Sequence, residues 1–241
     1  MEIPSTQDVS IIIPTYREAK NIPTLVKRFQ QVDFANRHFE VLIVDDNSQD
    51  GIVDVVAEFA KFNPWLKLMI HQGKRSLSQS VMAGMSQASF PVIVVMDADL
   101  SHPPEKIPQM LDVLSEPGVD FVIGSRYVAG GNTDEKWPVS RKITSKIAAL
   151  LAKALLTSKV SDPLSGFFAV RKSTCIAGDE LQPVGWKIGL EVMVKCHCKN
   201  IREIPIHFSE RLLGKSKLNT SVVASYLRHI VLLSKYKFEK Q

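Results

Sequence analysis

Two carboxylates one residue apart, Asp97 and Asp99, follow directly on the apolar run Val92-Ile93-Val94-Val95-Met96. Where a strand gives way to a loop, alternate residues can point the same way. Two such carboxylates can share a hard divalent cation, Mg2+ or Mn2+, which prefers oxygen ligands and also takes phosphate oxygens. Ser101, two residues further on, offers a hydroxyl as a third ligand, directly or through water. The competing reading is that these acids cap a helix or decorate a turn, a common use of a lone D-x-D. Their place after an apolar run favours the metal.

Other polar groups sit at similar positions. Thr15-Tyr16-Arg17-Glu18 follows "VSIIIP" (9–14), Asp45-Asp46-Asn47 ends "FEVLIVDD" (39–46), and Arg126 follows "VDFVIGS" (119–125). Between these runs lie segments with helical spacing, such as Ile22, Leu25, Val26 and Phe29. "LKLMIH" (66–71) and "PVIVVMD" (91–97) add two more strands, with helices expected over 76–88 and from Pro103-Pro104 to about Glu116. This alternation with near-continuous Val/Ile strands predicts an α/β fold: a mainly parallel sheet with helices on both faces. In such sheets ligands bind beyond the carboxyl ends of the strands, and four strand ends carry candidate ligand groups.

The second half of the chain is more elaborate. A long helix is expected over Val139 to Leu156, a loop running into a strand over 161–172, a helix over 188–199, a strand over 201–208 and a polar loop over 209–218. A last helix over 221–236 carries apolar residues (Val222, Val223, Tyr226, Ile230, Leu233) beside cations (Arg228, Lys235, Lys237). It suits either a membrane surface or docking on the domain. The simplest division is one domain over 1–241, with a first half at about 8–130 and an elaborated second half at about 131–241.

Composition narrows the function class. The chain has 241 residues, 45% hydrophobic and 23% charged, with a formal net charge of +5. The mild basicity suits anionic partners, but short basic clusters and 7% aromatics do not describe a nucleic-acid binder. Cys175, Cys196 and Cys198 are too few and too oddly spaced for a disulfide framework, and Cys196-His197-Cys198 is too tight for a zinc pair. These thiols are expected on helices. The first ten residues show no secretory leader. No run reaches the roughly 18 apolar residues of a membrane span.

A nucleotide is not held here by the usual glycine loops: neither G-x-G-x-x-G nor G-x-x-x-x-G-K-[ST] is present. Carboxylates can instead accept from base N–H groups or ribose hydroxyls. Asp46 and Glu18 fit that role, with the Tyr16 ring packed on the base. Alternatively, Asp45, Asp46 and Asn47 make a turn and cap the next helix.

The motifs "IIIPTYREAKNIP", "VDDNSQDG", "MDADLSHPPEKIP", "GSRYVAGG", W-x3-R-x3-S (137–145), "SDPLSGF" and "SERLLGKSKL" occur in this order. Together they resemble the inverting glycosyltransferases of family 2, with the GT-A (Rossmann-like) fold. The likeness is greatest to the branch that glycosylates polyprenyl phosphates, and it spans about residues 8 to 235. It implies that Pro14, Tyr16, Glu18, Val44 and Asp46 hold the nucleoside. It implies that Asp97, Ala98, Asp99 and Ser101 bind the metal and the sugar nucleotide, and that Arg211 and Lys217 flank the donor diphosphate. Arg126, Arg141 and Ser145 would grip the acceptor phosphate.

The implied reaction is metal-dependent transfer of a hexosyl group, mannose from GDP-mannose first, to a dolichyl-type phosphate. The alternative is UDP-glucose or a UDP-amino sugar with undecaprenyl phosphate. A phosphate nucleophile needs no strong base, so His102 reads as peripheral and Glu191 only as a candidate acceptor-side acid. The resemblance also implies a cytoplasmic protein, peripheral on the cytoplasmic face of a membrane. It would be attached through its last helix, a membrane-embedded partner or a segment beyond Gln241. Arg17 stands where the family often has Asn, and Ser76 where it has Gly. "WKIGLE" (186–191) is also off the usual pattern. These departures bear on sugar and acceptor identity more than on the chemistry. A nucleotidyltransferase would need an early glycine-rich loop with Lys, which is missing. A non-catalytic sugar-nucleotide subunit would have lost the two carboxylates, and both are present.

Overall fold

The computed structural model describes residues 7–73, 75–134, 139–156, 159–182, 186–210 and 220–240. Five strands form where the Val/Ile runs predict them: β1 Val9–Thr15, β2 Phe39–Asp45, β3 Leu66–Ile70, β4 Val92–Val95 and β5 Phe121–Ser125. The helices between them are α1 Ile22–Phe29, α2 Ile52–Ala60, α3 Leu77–Gln87 and α4 Ile107–Ser115, the last entered through a 3-10 turn at Pro104–Lys106. The α1 helix shows why. Ile22, Leu25, Val26 and Phe29 are its buried residues, and Pro lies in its first turn, where no intrahelical N–H is lost.

The later elements are β6 Asn132–Thr133, α5 Val139–Leu156, β7 Phe168–Arg171, α6 Lys172–Ala177, α7 Ile188–Lys195, β8 Ile201–Pro205, β9 His207–Phe208 and α8 Thr220–Glu239. The seven-stranded sheet has the order β3-β2-β1-β4-β7-β5-β8. All its neighbours are parallel except β7, which pairs antiparallel with both β4 and β5. The expected strand over 201–208 is broken after Pro205, and its end pairs with β6 in a separate two-stranded ribbon. The α7 helix stops at Lys195, so only Cys175, in α6, lies within a helix; Cys196 is a cap and Cys198 follows the helix.

Two apolar clusters cover the sheet, one on each face. The chain leaves β1 for β2 and β3 on one side, then returns to place β4 on the other. That reversal opens a crevice at the carboxyl ends of β1 and β4, the place where open α/β sheets bind ligands. Residues in the loops beyond strand ends have left-handed backbones: Arg17 at φ 61°, Asn47 at 52°, Gln49 at 53° and Leu100 at 65°. Asn tolerates this region better than Arg or Leu. Arg17 therefore holds this conformation only at a cost.

Candidate active site

The carboxylate pair sits where the sheet ends. Met96 donates its N–H to the Ile12 carbonyl oxygen at 3.2 Å, and the chain then leaves the sheet. Asp97 is part-exposed, with 33% of its side chain accessible. Asp99 is 4% exposed, and its Oδ1 accepts from the Ser101 hydroxyl and, at 3.1 Å, from the Ser101 N–H. Ser101 is fully buried. Its hydroxyl donates to Asp99 here.

His102 lies in the wall behind this pair. Its ring stacks on Phe167 with centroids 5.2 Å apart and meets Phe208 edge-on. Its Nδ1 accepts the Asp97 backbone N–H at 3.0 Å. Burial pushes the imidazole pKa down, against the pull of Asp97 and Asp99 and helped by the positive charges of Arg126 and Lys187. A neutral ring with Nδ1 as acceptor fits both facts. His102 is thus a brace for Asp97.

Arg126 leaves the end of β5 and meets Asp162 in a two-pronged pair: Nε to Oδ2 and Nη2 to Oδ1, both 2.7 Å. The Arg126 backbone N–H also reaches Asp162 Oδ2 at 3.1 Å. Asp162 is fully buried and takes its own place from Glu203, which accepts the N–H groups of Ser161 and Asp162. Burial alone would lower the guanidinium pKa. The hydrogen bonds and charge of Asp162 outweigh it, with a further contribution from Asp97, and the net shift is upward. A Cβ added to Gly131 would lie 2.6 Å from the Ser125 carbonyl oxygen and 2.9 Å from the Arg126 carbonyl carbon, so only glycine lets this turn close against the arginine.

The residues expected to hold a nucleoside are assembled from β1, β2 and the start of α3. The Asp45 carboxylate builds the turn, accepting from the Thr15 hydroxyl and from the Ser48 N–H and hydroxyl. Asp46 does something different. It takes the Ser80 hydroxyl at 2.6 Å and the Ser76 N–H at 3.1 Å, and it meets His71 Nδ1 at 2.8 Å. Glu18 accepts from Asn21 Nδ2. Tyr16 lies under two guanidinium groups, Arg75 at 4.5 Å and Arg17 at 5.4 Å from the ring centroid. Pro14 is half-buried at the end of β1. Val44 and Ala98 are buried, which leaves them backbone groups to offer.

Residues 10–177 match the profile of glycosyl transferase family 2. The chain belongs to that family. A dolichol-phosphate mannosyltransferase from Pyrococcus furiosus is 40% identical over 233 residues, which cover 96% of this glycosyltransferase and 65% of that protein. Proteins of the same name from Mycosarcoma maydis and Saccharomyces cerevisiae are 37% and 35% identical. The matches span 97% and 96% of this chain, and 81% and 88% of theirs. Among solved structures, a mannosyltransferase from Pyrobaculum calidifontis in complex with GDP-Man and Mn2+ superposes with a TM-score of 0.66 at 17% identity, covering 99% of this chain and 67% of that one. Mannosyl-3-phosphoglycerate synthase from Rubrobacter xylanophilus gives 0.71 at 18%, covering 97% and 75%. These superpositions show the GT-A fold.

The remaining site residues of this family 2 glycosyltransferase are placed unevenly. The Ser145 hydroxyl accepts from Tyr127 at 2.8 Å, and Arg126 lies 5.1 Å from the Tyr127 ring, so Ser145 and Arg126 share one neighbour. Arg141 is in α5, one turn before Ser145, and its side chain lies outside the described residues. Arg211 and Lys217 are also outside them.

Glu191 is 1% exposed, in a buried cluster with Lys195 Nζ at 2.9 Å and His229 Nε2 at 3.2 Å. Burial would raise its pKa, but the bonds from His229, Lys195 and the Gln182 N–H win and lower it. A carboxyl held ionised in this way is no proton donor; it ties α7 to α8. Replacing it (Glu191→Gln) is expected to cost roughly 3–5 kcal/mol of stability, as removal of one partner of a buried pair does. Because the folded pKa is depressed, that contribution is present above the unfolded carboxyl pKa and is lost as pH falls through the folded value. Melting curves of both proteins across acidic pH check this: their difference should narrow at low pH.

Proposed function

We propose that this glycosyltransferase moves a mannosyl group from GDP-mannose to a dolichyl-type polyprenyl phosphate and inverts the donor linkage. The observation that carries the reading is that one loop holds both the carboxylate anchoring Arg126 (Asp162) and the glycine that backs on Asp97 (Gly166). Asp97 suits a metal-bound diphosphate and Arg126 a second phosphate. The shared name of three relatives supports the choice of sugar and acceptor.

The donor set suits Mg2+ or Mn2+. Asp97 and Asp99 are hard oxygen donors, and among the described residues no third His, Cys, Asp or Glu joins them to form a metal cluster. That fits an ion that keeps water and takes phosphate oxygens. When bound there, the ion supplies positive charge against which the nucleoside diphosphate can leave. Tyr16, Glu18 and Asp46 hold the nucleoside, and Arg211 and Lys217 the diphosphate. Arg126, Arg141 and Ser145 orient the acceptor phosphate.

The acceptor's oxygen forms the new bond to the sugar's anomeric carbon as the bond to the diphosphate breaks. A phosphomonoester loses its second proton near pH ~6, so the nucleophile arrives ionised and needs no base. That agrees with a site whose nearest imidazole, His102, is fixed as a brace.

The acceptor is a lipid, and the surface of α5 and α8 suits its membrane. Ile147 and Leu150 on α5 and Leu227, Val231, Leu232 and Phe238 on α8 are exposed, with Arg228 and Lys235 on the same face of α8. Apolar side chains beside cations match an anionic bilayer surface. Among the described residues no helix is long and apolar enough to cross a membrane.

The test is a panel of GDP-mannose, UDP-glucose and UDP-N-acetylglucosamine, each with Mn2+ or with chelator, followed by transfer to dolichyl phosphate. Only GDP-mannose with metal should raise the melting temperature, as a ligand of the folded state does, and only it should yield a mannosyl lipid. Stabilisation and transfer with a UDP-sugar would replace the donor.

A further inference from the structure

Two arginines cover the Tyr16 ring from different anchors. Arg17 is its neighbour in sequence and lies 5.4 Å from the centroid. Its backbone is left-handed, and its N–H donates to the Ser48 hydroxyl at 2.8 Å. Arg75 comes from a distant segment and lies closer, at 4.5 Å. It directly precedes Ser76, the N-cap of α3, whose N–H donates to Asp46 Oδ2 at 3.1 Å. One turn on, the Ser80 hydroxyl donates to Asp46 Oδ1 at 2.6 Å. The backbone beside Arg75 is therefore pinned to the carboxylate expected at the nucleoside, while the Arg75 residue itself is exposed. Arg28, Arg37 and Arg126 are each paired with a carboxylate. Arg75 instead rests on an aromatic face.

A base packed on Tyr16 needs the ring face that this guanidinium covers. The Arg75 side chain stands on a flexible stem in solvent, so it can lift off the ring while its backbone stays fixed. A guanidinium is planar and weakly hydrated, and it stacks on aromatic faces. It can therefore settle on the outer face of the base and keep a cation–π contact there. We propose that Arg75 is a base-binding residue of the donor site, closing over the nucleobase so that the base lies between its guanidinium and the Tyr16 ring. The proposal rests on reading Tyr16 and Asp46 as the nucleoside side of the site. Because its neighbour Ser76 is tied to Asp46, the closed guanidinium stays over the base and does not reach for the diphosphate. A purine, with two fused rings, offers the clamp more surface than a pyrimidine, which agrees with a guanine donor.

The experiment titrates GDP, with Mn2+ present, into the full chain and into Arg75→Ala, Arg75→Lys and Arg75→Trp. Lysine keeps the charge without the plane, and tryptophan keeps a plane without the charge. Arg75→Ala should raise the GDP Kd roughly tenfold, the scale of losing one stacking partner of a base. Arg75→Trp should recover more of that loss than Arg75→Lys. The ligand-free melting temperature should stay the same in all four proteins, because Arg75 is exposed. Unchanged or tighter GDP binding by Arg75→Ala overturns the proposal; tighter binding would mean that Arg75 only competes with the base for Tyr16. Better recovery by lysine than by tryptophan also overturns it and puts Arg75 on the diphosphate as a simple cation. Failure of the unaltered chain to bind GDP removes the nucleoside reading itself, whereas normal GDP binding with an indifferent Arg75 removes only this residue's role.

Discussion

Replacing Asp97 with asparagine should lower transfer by roughly a thousandfold, the scale seen when one preorganised charge-stabilising group is lost. Asn keeps the shape and one carbonyl oxygen but not the negative charge that draws a divalent ion. The loss should appear together with loss of metal-dependent stabilisation by GDP. Asp97 is part-exposed, so the melting temperature without ligand should barely move. The buried partner behaves differently. Asp99→Asn disturbs the acceptor of both the Ser101 hydroxyl and N–H, which adds a stability loss of roughly 1–3 kcal/mol. Transfer assays and melting curves on the two variants separate these terms. Normal turnover by Asp97→Asn at saturating donor would remove the metal assignment, and equal destabilisation by both variants would contradict their different burial.

The parts of this fold that were legible were those written in local pattern. The apolar runs of β1, β2, β4 and β5 each end in polar candidate site residues, so Asp97, Asp99, Asp46 and Arg126 could be placed at strand ends before any coordinate. What local pattern lacks is direction and partner. The run Phe168–Arg171 reads as a strand in either orientation, and only the chain's path makes it antiparallel between β4 and β5. The six-residue α6 and the two-residue β6 and β9 are too short to carry a period. The Pro205 break reflects pairing with distant residues.

The same limit applies within the site. Asp162 lies in a recognisable motif, but its bond to Arg126 spans 36 positions, and no spacing rule announces it. His102 sits three residues from Asp99 and looked peripheral because only its stacking on Phe167 and Phe208 shows it to be a brace. Arg75 over Tyr16 had no local signal either. Groups that touch substrate gather at strand ends, where topology predicts them. Groups that hold those groups come from wherever the chain happens to pass.

Asp162 therefore gives the second large effect. Its removal (Asp162→Ala) leaves the Arg126 guanidinium buried without its partner and should cost roughly 3–5 kcal/mol of stability. Asp162→Asn is the more informative change, because it keeps volume and one acceptor but loses the charge and one prong. Two opposite effects then compete for acceptor binding. Losing the carboxylate frees the arginine's positive charge, which favours a phosphate. Losing the two-pronged bond lets the guanidinium turn away, which disfavours it.

Orientation should win, because Asp162 also accepts the Arg126 backbone N–H and so fixes the end of β5 as well as the side chain. A planar fork is useful to a phosphate only in a fixed plane. Asp162→Asn should lower kcat/KM for dolichyl phosphate by roughly ten- to a hundredfold while GDP affinity with Mn2+ holds. A double-mutant cycle with Arg126→Lys should be strongly non-additive, since the two residues act as one unit. Tighter acceptor binding by Asp162→Asn would show that released charge outweighs position, and Arg126 would then act as a simple cation.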